Sequence, residues 1–311
     1  MRKEILYTLH SMYRDDLRIT GYFFGSGEKS VCIVGSLRGN EVQQMYICSQ
    51  MIRALTRMEK EGRLVPGHEI LVVPSLNQYS MNIGERFFPV DGTDINRMFP
   101  GYDQGETTQR IAAGIFDAIK TYRYGIQMSS YYLKGEFIPH VRLMDTGYQD
   151  LEAAQDFGLE YVLERTPRPY DTTTLNYNWQ IWDCSAFSLF TEETQKISPE
   201  CARSGILAIL RFLSQRGFIK AQIPPGFTSR CIHGDSLLRV RSTTGGIYER
   251  RKGQGDRVEK GEVMGRIVHP YEGTVLEEIL SPATGRVFFA HRAQLAMAQE
   301  MLFQVIEEET Y

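Results

Sequence analysis

The residues of this 311-residue chain that could do chemistry are concentrated in a few short stretches. Arg38-Gly39-Asn40-Glu41 follows an apolar run and opens a helical pattern, and residues i and i+3 at a helix start share one face. Arg86 precedes Asp91-Gly92-Thr93-Asp94-Ile95-Asn96-Arg97-Met98-Phe99-Pro100-Gly101, and His140 and Arg142 lie in Pro139-His140-Val141-Arg142. Guanidinium, amide and carboxylate groups of this kind suit charge-assisted binding of a carboxylate or phosphate. Asp94-Ile95-Asn96-Arg97 also reads as a turn held by side chain to backbone hydrogen bonds. Metal chemistry is poorly supported by the histidines: His10, His68, His233, His269 and His291 fall in predicted loops or in a C-terminal β module. The five cysteines are scattered and contain no Cys-x-x-Cys pair, which argues against a zinc ribbon or a disulfide framework and suits reduced thiols in a cytoplasm.

The elements that must position these residues follow from hydrophobic periodicity. Leu17–Phe23 and Ser30–Gly35 read as strands, the second almost continuously apolar and so buried on both faces. Asn40 to Lys60 has apolar residues at helical spacing, and Glu69–Pro74 is the next strand. A polar loop then runs from Asn77 to Arg97. Thr107 to Tyr122 is predicted to be a helix, Gly125 to Ser129 a short strand, and Leu151 to Glu164 and Pro199 to Arg216 further helices. Strands of buried type alternating with helices imply an α/β sheet covered by helices. After Pro224-Pro225-Gly226 the pattern changes to short strands separated by glycines, an all-β module. The domains expected are therefore residues 1–222 and 223–311.

Composition excludes several classes. The formal charge of −3, from 35 Lys+Arg against 38 Asp+Glu, is not that of a generic nucleic-acid binder. No apolar run approaches the roughly 20 residues of a membrane helix, and no secretion signal is expected at the N-terminus. Gly253 to Val263 resembles half of a biotinyl or lipoyl carrier hairpin without the modified lysine, and no helix follows it to make a phosphate loop. The aromatic residues Tyr170, Tyr177, Trp179 and Trp182 are expected in the core or a pocket wall.

Gly-Asn-Glu running into a helix, followed by Asp-x-Asn-Arg and Phe-Pro-Gly, resembles the succinylglutamate desuccinylase/aspartoacylase family, relatives of the zinc carboxypeptidases. The resemblance extends to the C-terminal β segment. It implies a zinc-carboxypeptidase-like α/β/α sandwich with a mixed sheet, plus a small C-terminal all-β domain. It also implies zinc held by His and Glu of a His-Gly-(Asp/Asn)-Glu motif and by a second His, with a later Glu as general base. By the same resemblance Arg86 would polarise the scissile carbonyl, and Asn96 and Arg97 would bind the substrate carboxylate.

The chain departs from that pattern at the metal. Arg38 stands at the first histidine position, Glu41 is kept, Ser129 falls at the second histidine position, and Phe190 stands where the glutamate is expected. Glu192 or Glu193 would restore a base after a small slip in alignment. His140 is the remaining candidate ligand, although a lone histidine is more often a hydrogen-bonding core or rim residue. One carboxylate with an arginine and a serine is not a zinc site. Arg38 is expected either to pair with Glu41 and fill the metal position or to be a solvated loop residue. With Arg86, Asn96, Arg97 and Arg142 it would line a cationic pocket for a small anionic ligand.

The reading that results is a catalytically degenerate member of the family without catalytic residues or a resident cofactor. It would serve as a regulatory or structural subunit that binds an anionic metabolite, pairs with an active paralogue, or self-associates. The alternative is an active zinc-dependent hydrolase of N-acyl amino acids or related amides, with Glu41 and His140 among its ligands, Glu192 or Glu193 as base, and zinc as its cofactor.

Overall fold

The structure, a computed structural model, describes residues 1–308 apart from 13–14, 132 and 192–194. The chain forms two compact units: residues 1–130 with 139–231, and residues 131–138 with 232–311. The second unit thus begins at Ile232 rather than at residue 223, and it takes in Tyr131–Ile138 from the middle of the chain. Residues after 222 stay with the first unit because Phe227 N–H donates to the Gly158 carbonyl at 2.9 Å.

The first unit is built on a mixed sheet of nine strands. In chain order its elements are β1 (Arg2–Leu9), β2 (Leu17–Gly25), β3 (Gly27–Ser36), α1 (Val42–Lys60), β4 (Gly67–Ser75), α2 (Gln78–Ile83), α3 (Thr107–Ile119) and β5 (Tyr124–Ser129). After β6 (Gly135–Phe137), which belongs to the second unit, come β7 (His140–Met144), α4 (Leu151–Gln155), β8 (Tyr161–Arg165), α5 (Leu175–Ile181), β9 (Ser185–Phe190), α6 (Pro199–Gln215) and β10 (Arg230–His233). The spatial order is β1-β2-β4-β3-β5-β9-β7-β8-β10. Strands β4, β3, β5 and β9 are mutually parallel, with β2 antiparallel to β4 and β7 antiparallel to β9.

Two sequence expectations are corrected. The helix expected over Leu151 to Glu164 is only the short α4, and its second half is strand β8, because the brief apolar run Tyr161-Val162-Leu163 completes the sheet beside β7. The polar stretch from Asn77 to Arg97 contains α2, capped by Asn77 accepting from Ser80 N–H, and a 3-10 turn at Ile95–Arg97.

The alternation of side chains along strands gives the sheet two different faces. Ile126 and Met128 of β5, Val141 and Leu143 of β7, and Phe187 and Leu189 of β9 join a core with Ile47 and Leu55 of α1 and Ile209 and Phe212 of α6. The opposite face packs on α3 and α5 through Ile111, Ile115, Leu175 and Trp179. Trp179 is fully buried over Gly125, where a Cβ would lie 2.6 Å from the indole, while Tyr170 and Trp182 are about half exposed. Towards the carboxyl ends of β5 and β9 this second face turns polar, with buried Gln127, Ser129 and Ser188. An apolar sheet face that becomes polar at the carboxyl ends of parallel strands is where ligand sites of open α/β sheets lie.

The second unit contains β11 (Leu238–Arg241), β12 (Gly246–Arg250), β13 (Arg257–Val258), β14 (Val263–Val268), β15 (Val275–Leu280), β16 (Gly285–His291), β17 (Leu295–Ala296) and β18 (Met301–Glu307). They form the sheets β11-β18-β16-β13, with β6 added to β16, and β15-β14-β12-β17. Met264, Val287, Leu302 and Phe303 fill the core of this unit. Among the described residues, no helix is long and apolar enough to cross a membrane.

Candidate functional site

The loop after β3 wraps around one carboxylate. Leu37 and Arg38 N–H groups donate to Glu41 Oε2 at 2.8 and 3.1 Å, Arg38 Nη1 donates to Oε1 at 3.0 Å, and Ser130 Oγ donates to Oε1 at 2.5 Å. Both oxygens of Glu41 are thus engaged, and the residue is 1% exposed. The expected contact between Arg38 and Glu41 is present, and Arg38 is buried at 6% exposure rather than solvated.

Asp94 completes the cluster. Arg38 Nε lies 3.1 and 3.0 Å from the two Asp94 oxygens, and Arg86 Nη2 donates to Asp94 Oδ2 at 2.9 Å. The turn reading of Asp94 also holds, since its Oδ1 accepts from Asn96 N–H at 3.0 Å. Two guanidinium groups and two carboxylates therefore balance within one buried network. Burial disfavours the charged form of Arg38, but Glu41 and Asp94 outweigh it and raise its pKa above the usual value. For Asp94 burial pushes upward, and the charges of Arg38 and Arg86 overcome it and hold the carboxyl below its usual range. Arg86 is lowered, first by burial and then by repulsion from Arg38.

The other residues singled out by sequence lie in separate arrangements. Asn96 Oδ1 accepts from Leu175 N–H at 3.1 Å, joining the 3-10 turn to the start of α5. Arg97 turns towards the neighbouring segment, donating from Nη1 to Tyr170 O at 2.6 Å with Asp171 at 3.7 Å. His140 is fully buried and stacks on Phe190, centroids 4.9 Å apart and planes 3° from parallel. Arg142 packs its guanidinium 4.1 Å from the centre of the same ring, and its Nη2 is 3.4 Å from His140 Nε2. The Ser129 carbonyl accepts from Gln44 Nε2 at 3.2 Å, and its hydroxyl turns back to Gln127 O at 3.4 Å. Glu192 and Glu193 lie outside the described residues. Sequence reasoning missed Ser130 as a partner of Glu41 and Asp94 as the hub, because both contacts join segments far apart in the chain.

These residues do not fit the zinc that the resemblance implies. Among the described residues no three His, Cys, Asp or Glu side chains are grouped to hold a metal ion. The one retained ligand position, Glu41, already accepts from four donors, one of them a guanidinium nitrogen 3.0 Å away. A divalent ion about 4 Å from that cation would meet repulsion of roughly 8 kcal/mol at an effective dielectric of about 20.

Gly39 fixes the loop that carries Arg38. A Cβ there would lie 2.1 and 2.3 Å from the Ser80 carbonyl atoms and 2.4 Å from Glu85 O, all backbone. Gly39→Ala must displace α2 or the loop, so it is expected to cost about 1–3 kcal/mol, as overpacking does. A urea melt checks this, and a change within about 0.5 kcal/mol, as at an ordinary surface site, would contradict it.

Comparison with known proteins agrees with this architecture. Residues 27–195, more than half of the chain, match the model of the succinylglutamate desuccinylase/aspartoacylase catalytic domain. An N-alpha-acetyl-L-2,4-diaminobutyric acid deacetylase from Halomonas elongata is 24% identical over 252 residues, covering 76% of this chain and 69% of that protein. The product-bound ectoine utilization protein EutE (DoeB) from Ruegeria pomeroyi superposes with a TM-score of 0.82 at 18% identity, covering 99% of this chain and 95% of that one. A succinylglutamate desuccinylase/aspartoacylase from Rhodobacter sphaeroides gives 0.78 at 20% identity, with 95% and 91% covered. With the mixed sheet, the C-terminal antiparallel sheets and the matched catalytic-domain model in agreement, the chain belongs to the succinylglutamate desuccinylase/aspartoacylase family.

Proposed function

We propose that this chain is a family member in which a buried ion network has taken the place of the hydrolytic metal centre. Its role is then regulatory or structural: it binds a small anionic metabolite, and it acts as a subunit beside an active paralogue. The observation that supports this reading most strongly is the Arg38 guanidinium, which contacts both Glu41 and Asp94 in a buried site. Arg142, half-buried with its guanidinium packed on Phe190, and Arg86 at the edge of the network are the cations we assign to the anion.

Thermal melting with added ligands tests the proposal, because a ligand that binds only the native state must raise its stability. The melting temperature is expected to stay unchanged with zinc or a chelator and to rise with small carboxylates or inorganic phosphate. Stabilisation by zinc, lost on chelation, would instead favour an active amide hydrolase with an altered ligand set.

A further inference from the structure

A cavity of about 390 Å³ opens in the first unit between the end of β1, the loop of residues 88–93 and the first turn of α3. None of its lining residues belongs to the network around Arg38. Its volume falls within the roughly 300–1,000 Å³ of small-molecule sites. The chain leaving β1 turns at residues 10–12, where His10 Nδ1 lies 3.2 Å from Asp16 Oδ2 and Ser11 N–H donates to Asp16 Oδ1 at 3.1 Å. Val90 sits in a loop closed by Phe88 N–H on Thr93 O and by Gly92 N–H on Phe88 O, both at 2.8 Å. Asp91 ties that loop to α3, accepting from Thr108 N–H and Oγ1 at 2.9 and 3.0 Å.

The cavity joins an apolar wall to a cation. Leu9, Met12 and Val90 supply the wall, and Met12 and Val90 are left 87% and 49% exposed. Exposed apolar side chains that converge on one concavity mark a binding groove rather than an ordinary scattered surface. The cation is Arg110. It lies one turn before Gly114, where a Cβ would meet the Tyr7 ring at 2.2 Å, so this face of α3 lies on β1. Arg110 thereby stands level with Leu9, two strand residues on from Tyr7, and both line the cavity. Among the described residues no carboxylate pairs with Arg110. The acids of the neighbouring walls are taken, Asp16 by His10 and Ser11, and Asp91 by Thr93 and Thr108.

We propose that this cavity is a ligand site in its own right and takes an amphipathic monocarboxylate, its carboxylate on Arg110 and its short aliphatic chain against Leu9, Met12 and Val90. A guanidinium and a carboxylate form a charge-assisted pair, and the unbranched Met12 side chain adapts its shape to the chain that it covers. The hydroxyl groups of Ser11 and Thr107 line the same cavity and offer donors to the carboxylate. The inference goes beyond the regulatory reading above and stands without it, because it uses none of Arg38, Arg86, Arg97 and Arg142.

Titration calorimetry of the full chain with sodium octanoate, sodium butyrate and octan-1-ol tests the proposal. Octanoate is expected to bind at least about tenfold more tightly than butyrate, which lacks most of the chain, and than octan-1-ol, which lacks the charge. Arg110 is exposed, so Arg110→Met should leave the melting temperature of the ligand-free protein within about 2 °C. The same variant is expected to weaken octanoate at least about tenfold, and Val90→Ser to weaken it at least about threefold. No binding of octanoate, equal binding of butyrate or octan-1-ol, or an unchanged affinity in either variant would overturn the proposal. Octanoate that binds equally well to Arg110→Met would sit on other cations of the chain, and this site would fall while the function proposed above still stood.

Discussion

Arg38→Met is expected to destabilise the protein by about 3–5 kcal/mol, the range found when one partner of a buried ion pair is removed. The side chain is 6% exposed, so solvent cannot take over its role. Its loss leaves Glu41 with one donor fewer and removes the cation that Nε presents to both Asp94 oxygens. Arg86 still reaches Asp94, but the guanidinium that pairs directly with Glu41 is gone. Arg38→Lys should recover only part of the loss, because a single ammonium cannot reproduce the planar fork. Urea denaturation at neutral pH measures both variants. A loss below about 1 kcal/mol for Arg38→Met would place the pair in the class of weak surface contacts and contradict the account.

Asp94→Asn has the second large expected effect, and it carries a pH signature. The substitution removes the carboxylate shared by Arg38 and Arg86, so two neighbouring guanidinium groups lose the counter-charge that lies between them. The expected cost at neutral pH is again about 3–5 kcal/mol. The folded pKa of Asp94 is lowered, so its contribution is complete above the unfolded carboxyl pKa of about 3.9 and is lost as pH falls through the folded value. The difference between the native protein and Asp94→Asn should therefore be constant from neutral pH to about pH 5 and should narrow below about pH 4. Denaturation midpoints across that range provide the measurement, and a gap that persists unchanged into acid would show that Asp94 is not ionised in the network.

The central fold was legible because its signals are local. Ser30–Gly35 and Glu69–Pro74 are apolar after their first residue, and they became part of the adjacent parallel strands β3 and β4. The periodic stretch after Asn40 became α1, whose buried residues include Ile47, Cys48, Met51 and Leu55. Strand β1 escaped notice because it is a largely exposed edge strand whose first half is the charged Arg2-Lys3-Glu4. The error at Tyr161–Arg165 has another cause: a short apolar run fits a strand or a helix equally until its neighbours are known.

The candidate site divides in the same way. The contact between Arg38 and Glu41 follows from an i, i+3 spacing and was visible in the sequence. The link from Arg38 to Asp94 crosses 56 residues, and the local turn around Asp94 supplied a sufficient explanation without it. Phe190 reads as a missing glutamate, but its ring is also the surface on which His140 and Arg142 are stacked, and only the pairing of β7 with β9 brings them together.

The claim that the ion network replaces the metal centre is tested most directly by the metal content of protein purified without a histidine tag and without added zinc. Elemental analysis of the native chain and of Arg38→Met should both find zinc far below stoichiometric, since removing the guanidinium does not supply the missing histidines. A stoichiometric amount of zinc that stays with the native chain through gel filtration would contradict the account and place a metal among residues that the network is held to have closed.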